Sequence, residues 1–580
     1  MKKILAVVLT LAMLISAVPV SFGAAELDPD LVAAWNFDSI SADNTIVDIT
    51  GNGNDLIIQD TAYEIVDGFS GKTFDFNGGT SAYDNSKHLV VSSDKLVPFI
   101  NGSPAVTITA FVKKETKGSS TNFTMFALNA GSNSIMTYAR ANDIAVSSRS
   151  DYKSAAVGTT ASNIIYPNAD DANAPDSWMH VALILDYEND NVKIYADGVL
   201  VGEEQAQDGQ KFATDYANYK TDVNDIATGY FGVGGRHVRM DDVKIYKRAL
   251  TENEIKESIP PVLSYDFEEV CDGKIKDSSA HGMDITVDAT DSPEVIEGIH
   301  GNTISLNKTA HFPADTFTGM LYGAKEFAVS TWIRFPNGTG AAPTTELHIL
   351  SDELGTATKA KAFTFTFKGR NGYFGLRSRN STSSYDGSMA YVQAENVRSM
   401  HGETDWHHIY ITADFVNKTG EVYWDGVLAK TIKTSSMTNA GLGYFAPTPD
   451  GVEDTLNLNT SLPINLDSLK VYRRTLTANE IARESGTPYL FSQTSNSVAV
   501  ECYPENISGL DVGSQVIIAM YDSTKALRDC DIVSVENIND KISLKLDEID
   551  VPVNYSYKLF MFKSLDSLTP ICEEIDYTAQ

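Results

Sequence analysis

Short apolar runs, β-branched or alternating, recur along the chain between polar turns. Val181-Ala-Leu-Ile-Leu-Asp186 and Val192-Lys-Ile-Tyr195 flank a polar loop, and Phe363-Thr-Phe-Thr-Phe-Lys368 alternates strictly. A period of two puts every second side chain on one sheet face, so these runs predict strands. Asp197-Gly198 and Asp425-Gly426 predict tight hairpins, because such turns need φ > 0 at their central residues. Helical signal is confined to Thr251-Glu-Asn-Glu-Ile255 and Thr477-Ala-Asn-Glu-Ile481, where Thr and the Glu three places on form a capping box. Towards the C-terminus Val498, Val500 and Cys502 alternate, and Val516–Asp522, Ile542–Leu546 and Tyr557–Phe562 read as further strands. The pattern predicts an all-β chain of two-sheet sandwiches.

The N-terminus has a different pattern. Lys2 and Lys3 precede an apolar run from Ile4 to Val20, and Ser21-Phe-Gly-Ala-Ala25 offers small residues for cleavage. This is the layout of a secretory signal peptide over residues 1–25. No later run reaches the ~20 apolar residues that a spanning helix needs, so no membrane insertion is expected. The expected location is extracellular, free or associated with the cell surface.

Self-similarity organises the remainder. Leu31-Val-Ala-Ala-Trp35-Asn-Phe37-Asp38 matches Val262-Leu-Ser-Tyr265-Asp-Phe267-Glu268, and Ser177-Trp178-Met-His180-Val matches Asp405-Trp406-His-His408-Ile. Val192-Lys-Ile-Tyr195-Ala-Asp197-Gly198 matches Glu421-Val-Tyr423-Trp-Asp425-Gly426. Met240-Asp-Asp242-Val-Lys-Ile-Tyr246 leads into Leu250-Thr-Glu-Asn-Glu254-Ile255, as Asn465-Leu-Asp467-Ser-Leu-Lys-Val-Tyr472 leads into Leu476-Thr-Ala-Asn-Glu480-Ile481. Two more landmarks keep the same order, Asp48-Ile-Thr-Gly51 with Asp277-Ser-Ser-Ala, and Val106–Val112 with Phe327–Ile333. A unit of about 225 residues is a whole domain, too long for a solenoid repeat. The reading is a duplication over residues 26–258 and 261–485, joined at Pro260-Pro261, followed by a small β-sandwich module over 488–580.

These motifs together, W-x-F-D, S-W-x-H-V, V-x-I-Y-x-D-G and D-D-V-x-I-Y-x-R-x-L-T-x-x-E-I, resemble the laminin G-like/pentraxin-like jelly roll of the concanavalin superfamily. The resemblance implies a jelly roll of two antiparallel sheets and binding of glycan or protein by a secreted chain. The second copy departs from it where Asp467-Ser replaces Asp-Asp-Val. The last segment, with Phe560-Met-Phe562-Lys-Ser564 and Pro570, is similar to modules that end secreted bacterial polysaccharide-acting proteins.

Charge narrows the partners. The chain carries 45 Lys and Arg against 77 Asp and Glu, a net charge of −32, which argues against nucleic acid or anionic lipid. Four cysteines are too few for a disulfide scaffold, although one bridge among Cys502, Cys530 and Cys572 is expected in an oxidising compartment.

Catalysis finds little support. Hydrolases of this superfamily need two carboxylates in one cleft, commonly on one strand as Glu-x-Asp-x-x-Glu. That string is absent, and Glu574-Ile-Asp576, the nearest, lies outside the jelly rolls. The expected function is therefore non-catalytic recognition of a polysaccharide or glycoconjugate. The alternatives are an adhesin or structural protein binding another extracellular protein, and a glycoside hydrolase with an unrecognised site. Tyr138, Tyr152, Tyr166, Tyr373, Tyr385 and Tyr391 lie in Ser/Asn/Gly-rich stretches and could stack on sugars; Tyr138, Tyr373 and Trp424 are the chosen ligand contacts. Trp424 stands beside a turn where the first copy has Ala196, so exposure is expected. Trp178 and Trp406 recur and are expected in the core.

A structural Ca²⁺ is expected from position. Asp38 ends the first strand and Asp242 opens the last, strands that lie side by side in a jelly roll, and Asp48 sits in the Gly-rich turn just after. The second copy offers Glu268, Asp277 and Asp467. Oxygen-only ligands suit Ca²⁺ rather than zinc. The resemblance points the same way. The alternative is that Asp242 and Asp467 cap turns while Asp48 bonds its own loop.

Overall fold

The computed structural model describes residues 28–41, 43–58, 63–75, 89–114, 122–130, 133–140, 143–149, 157–161, 178–207, 229–233, 238–287, 294–299, 301–306, 310–313, 321, 324–334, 347–352, 363–368, 373–379, 389–394, 404–433, 455–459, 464–493, 497–538, 541–547, 555–564, 569–572 and 574–578. The leader, Tyr152, Tyr166 and Tyr385 lie outside the described residues. Among the described residues no helix is long and apolar enough to cross a membrane. The chain divides into two compact units, residues 27–475 and, beyond them, 476–580.

The first unit holds two jelly rolls. In the first, a six-stranded antiparallel sheet runs in the spatial order Leu31–Trp35, Val238–Tyr246, Ala105–Lys114, Met179–Asp186, Asn191–Ala196, Val199–Gln205. An eight-stranded sheet runs Val157–Ala161, Asp143–Arg149, Asn133–Arg140, Asn122–Ala130, Gly229–Val233, Leu89–Ser92, Leu56–Ile58, Thr45–Ile46. The second jelly roll repeats this connectivity. Its first sheet holds Leu263–Tyr265, Ile464–Tyr472, Glu326–Arg334, His407–Asp414, Thr419–Trp424 and Val427–Lys433. Its second runs Met389–Ala394, Tyr373–Arg379, Phe363–Lys368, Leu347–Asp352, Thr455–Asn459, Ala310–Pro313, Ile285–Val287, Lys274–Ile275. One difference is local: the hairpin Glu64–Asp67/Lys72–Asp75 stands alone, whereas Glu294–Glu297/Asn302–Leu306 joins the neighbouring sheet.

Burial explains the sequence pattern. Met179–Asp186 is buried along almost its whole length. Val181, Leu183 and Leu185 face the core between the sheets, packed with Trp35, Val106 and Ile194. The alternate residues Ala182 and Ile184 pack under Leu250 and Ile255, so the closing helix Glu252–Glu257 covers this part of the sheet's outer face. The expected capping box closes that helix, with Thr251 accepting from the Glu254 N–H and the Glu254 carboxylate accepting from the Thr251 N–H.

The second unit is a small β-sandwich. A three-stranded sheet (Tyr489–Gln493, Ser497–Cys502, Ile542–Asp547) and a four-stranded sheet (Leu527–Ser534, Gln515–Tyr521, Ser556–Phe562, Ile575–Thr578) share a core of Val498, Val500, Ile518, Met520, Leu544 and Leu559. The expected disulfide is not formed. Cys502 is buried in one sheet, Cys530 lies on a strand of the other, and Cys572 is exposed; all are free, as is Cys271.

Several positions differ from expectation. Trp424 is buried at 5% exposure rather than open to ligand. Its strand alternates, burying Gly420, Val422 and Trp424, and the equivalent Ala196 is also buried, so period two outweighs nearness to the turn. Tyr138, Tyr373 and Tyr391 lie in strands rather than between them, and their side chains are outside what the structure describes. Trp178 and Trp406 are half-buried; Trp178 packs on Phe69, Phe111 and Ile259, and the Arg334 guanidinium lies 4.7 Å from the Trp406 ring centre.

Candidate functional site

The acidic residues expected to hold a cation fall into two repeated devices. The first is centred on Asp48, 2% exposed. Its Oδ1 accepts from the Ala34 N–H (3.1 Å), the Thr50 N–H (3.1 Å) and the Thr50 hydroxyl (2.7 Å), and its Oδ2 accepts from the Asn54 N–H (3.1 Å). Asp277 repeats this, accepting from the N–H groups of Ser264, Ser279 and Met283 and the Ser279 hydroxyl. Each carboxylate ties the first strand to the following loop. The first-strand aromatic completes the knot: Trp35 Nε1–H donates to the Asn54 carbonyl (2.9 Å), and the Tyr265 hydroxyl to the Met283 carbonyl (2.7 Å).

The second device grips a hairpin turn. Asp38 Oδ1 accepts from the Lys72 N–H (2.9 Å), and Asp241 Oδ2 from the Ser70 N–H (3.0 Å). In the second jelly roll Glu268 accepts from the Asn302 N–H (2.9 Å) and Asp467 from the Ile299 N–H (2.8 Å). The grip requires glycine, since a Cβ on Gly68 would sit 2.3 Å from Asp241 Oδ2, and one on Gly298 2.4 Å from Asp467 Oδ2. Backbone strain aims both sets of acids. Phe37 and Phe267 have φ of 58° and 59°, and Asp242 and Ser468 have φ of 48° and 49° at a bulge in the last strand. Asp467 is therefore the counterpart of Asp241, and the counterpart of Asp242 is Ser468.

Fit to a cation differs among the six residues. Asp48 and Asp277 do not fit, because N–H and O–H donors occupy both oxygens of each. Asp38 and Asp242 are electrostatic neighbours: burial raises the Asp242 carboxyl above its ordinary range, Lys244 opposes this, and Asp38 adds to it. Burial also lifts Asp241, to about 7, with the charges of Asp242 adding and backbone N–H donors opposing. Among the described residues no three His, Cys, Asp or Glu side chains converge to hold a metal ion.

A third constellation joins the two jelly rolls. Asp197, the first residue of the Asp-Gly turn, is 2% exposed. Its Oδ1 accepts from the His180 N–H (3.0 Å), and its Oδ2 from the Arg473 guanidinium (2.7 and 3.3 Å). The counterpart Asp425 likewise accepts from the His408 N–H (2.9 Å), but its other oxygen meets His407 Nδ1 (2.9 Å) within the same jelly roll. Glu326 Oε2 accepts from the Thr475 N–H (2.8 Å) and hydroxyl (2.7 Å), with Lys256 Nζ 3.6 Å away. Arg474, 1% exposed, donates to the Ile259 carbonyl (2.9 Å). Beside these, Phe69 stacks on Phe111 (centroids 3.5 Å) and meets His281 edge-on (5.0 Å). The motif search assigned Asp197 only to a turn and missed Arg473. The available signal was divergence between copies: Lys325, Glu326, Arg473 and His281 stand where the first copy has Pro104, Ala105, Lys247 and Asn52.

The family described as the concanavalin A-like lectin/glucanases superfamily matches residues 84–256 and 306–482, more than half of the chain. No curated protein matches it. Among solved structures, the binding domain of Paraclostridial Mosquitocidal Protein 1 is similar at 12% identity and a TM-score of 0.30, over 68% of this chain and 75% of that one. Domain 4 of AbnA, an extracellular GH43 arabinanase from Geobacillus stearothermophilus solved with arabinotriose, is similar at 16% identity and a TM-score of 0.26, over 39% and 98%. The Ruminococcus gnavus IT-sialidase CBM40 bound to α2,6 sialyllactose gives 15% and 0.23, over 33% and 98%. Likenesses of this size carry no functional argument.

Proposed function

Since the chain belongs to the concanavalin A-like lectin/glucanases superfamily through both jelly rolls, we propose that it is a secreted, non-catalytic protein that recognises a polysaccharide or glycoconjugate. The family match over both copies carries this reading, because lectins and glucanases alike must hold a sugar. The acids described above favour binding over hydrolysis. Asp48, Asp277, Asp197, Asp241 and Asp467 are engaged in holding backbone, which is unlike a pair of carboxylates free to act as acid and nucleophile. In the first jelly roll the closing helix covers part of the six-stranded sheet. That favours the eight-stranded sheets, which carry Tyr138 and Tyr373, as the sugar-binding faces.

The test is a glycan and polysaccharide array probed with the full mature chain. Binding to a related set of glycans is expected, and Tyr138→Ala or Tyr373→Ala should each weaken it about tenfold, the equivalent of ~1.4 kcal/mol. Silence on the array with retained attachment to cells would favour the protein-binding adhesin instead. Release of reducing ends from a bound polysaccharide would end the non-catalytic reading.

Calcium is proposed for the first jelly roll alone, held by Asp38 and Asp242; Ser468 leaves the second with one acid fewer. An ion there would stabilise by mass action. EDTA is expected to lower the melting temperature of the wild type by a few degrees and to leave Asp242→Asn unmoved. Identical melts of the wild type with and without EDTA would remove calcium from the account.

A further inference from the structure

Lys325 immediately precedes Glu326 at the junction of the jelly rolls. It is 2% exposed, and its ammonium has no hydrogen-bond partner. The acids around it are already committed. Both oxygens of Asp197 are taken, by the His180 N–H and by Arg473. Glu326 Oε2 is taken by Thr475 and approached by Lys256. Arg474, also buried, donates to the carbonyls of Ile259 and Thr475. The buried group of Lys325, Arg473, Arg474, Asp197 and Glu326 thus holds three cations against two anions, a surplus of one positive charge. His180 and His281 do not redress this. Burial lowers them to about 3 and about 4, so near neutral pH their rings are uncharged, and His180 Nδ1 and His281 Nε2 are buried without hydrogen-bond partners.

A buried ammonium that donates to nothing is costly, and buried polar atoms in native proteins nearly always find protein, water or ion. Water satisfies donors but leaves the surplus charge. A small anion does both. Burial, assisted by Arg473 and opposed by Asp197, lowers Lys325 to about 8, which still leaves it mainly cationic at neutral pH.

We infer that the junction between the jelly rolls binds a small monovalent inorganic anion of the halide class against Lys325 Nζ, as a structural counter-ion. This does not rest on the carbohydrate reading.

The experiment compares thermal melts of the full chain in sodium chloride, sodium bromide and sodium gluconate at equal ionic strength, so that screening is matched. A saturable rise of about 2–4 °C in halide over gluconate is expected. Lys325→Met, which fills a similar volume without charge, should abolish the difference. Crystals grown in bromide should give an anomalous peak within hydrogen-bond reach of Lys325 Nζ; this reads the wild type and stands even if the variant folds poorly. Equal melts in all three salts, or bromide peaks at the surface only, would overturn the inference.

Discussion

Arg473→Ala is expected to lower the unfolding free energy of the 27–475 unit by about 3–5 kcal/mol, among the largest effects of any single substitution in the chain. The size comes less from the ion pair than from what is left behind. Asp197 is 2% exposed, and without the guanidinium its desolvated Oδ2 loses its hydrogen-bond donors and is left with only the through-space charge of Lys325. Breaking a surface pair such as Lys72–Asp67, 2.6 Å long with both side chains largely exposed, should have a far smaller effect, because both charges stay solvated. The double replacement Arg473→Met with Asp197→Asn removes both charges and keeps an acceptor for the His180 N–H, so it should recover most of the loss. Urea unfolding followed by tryptophan fluorescence reads all three. A loss below about 1 kcal/mol for Arg473→Ala would show that the pair is solvated and the junction loose.

Asp48→Ala should cost about 3–4 kcal/mol, because one truncation strands four donors. Two of them, the Ala34 and Asn54 N–H groups, belong to buried residues. Asp55→Ala is the internal control. Asp55 accepts a single bond, from the Asp48 N–H (2.8 Å), and its loss should cost about 1 kcal/mol. Asp277→Ala should reproduce the large effect in the second jelly roll. The loss should be the same with EDTA present, since these oxygens are filled by donors. An Asp48→Ala cost no greater than that of Asp55→Ala would refute the four-donor account.

Most of the architecture could be read from the chain because a sheet writes its period into sequence. Alternation, Asp-Gly turns and capping boxes are local, and duplication printed each of them twice. The site was less legible for an equally physical reason. Asp38 and Asp241 act on backbone N–H groups, which have no residue identity, so nothing in the sequence marks Lys72 or Ser70 as their partners. Counted back from Tyr246 and Tyr472, the last strands align without a gap and pair Asp467 with Asp241 and Ser468 with Asp242; the expected cation set took Asp242 instead, and the bulge common to both copies leaves the correspondence unchanged. Arg473 and Asp197 are 276 residues apart, and neither occupies a position where the copies agree on a partner. Trp424 was misread through its neighbouring turn although its own strand carries the period that buries it.

The stacked rings at the junction have a consequence for how the chain is made. Synthesis runs from the N-terminus, so Phe69, Phe111, Trp178 and Ile259 are all in place before the residues that cover them exist. In a secreted chain the roughly 215 residues from Ile259 to Arg474 emerge only after the first jelly roll, N-terminus first. Throughout that interval the first jelly roll is folded yet presents an apolar end and a buried-type carboxylate, Asp197, to whatever is near. A nascent chain in this state is most adhesive to a neighbouring chain at the same stage. The junction is thus a point of vulnerability on the way to the native protein, as well as a source of its stability.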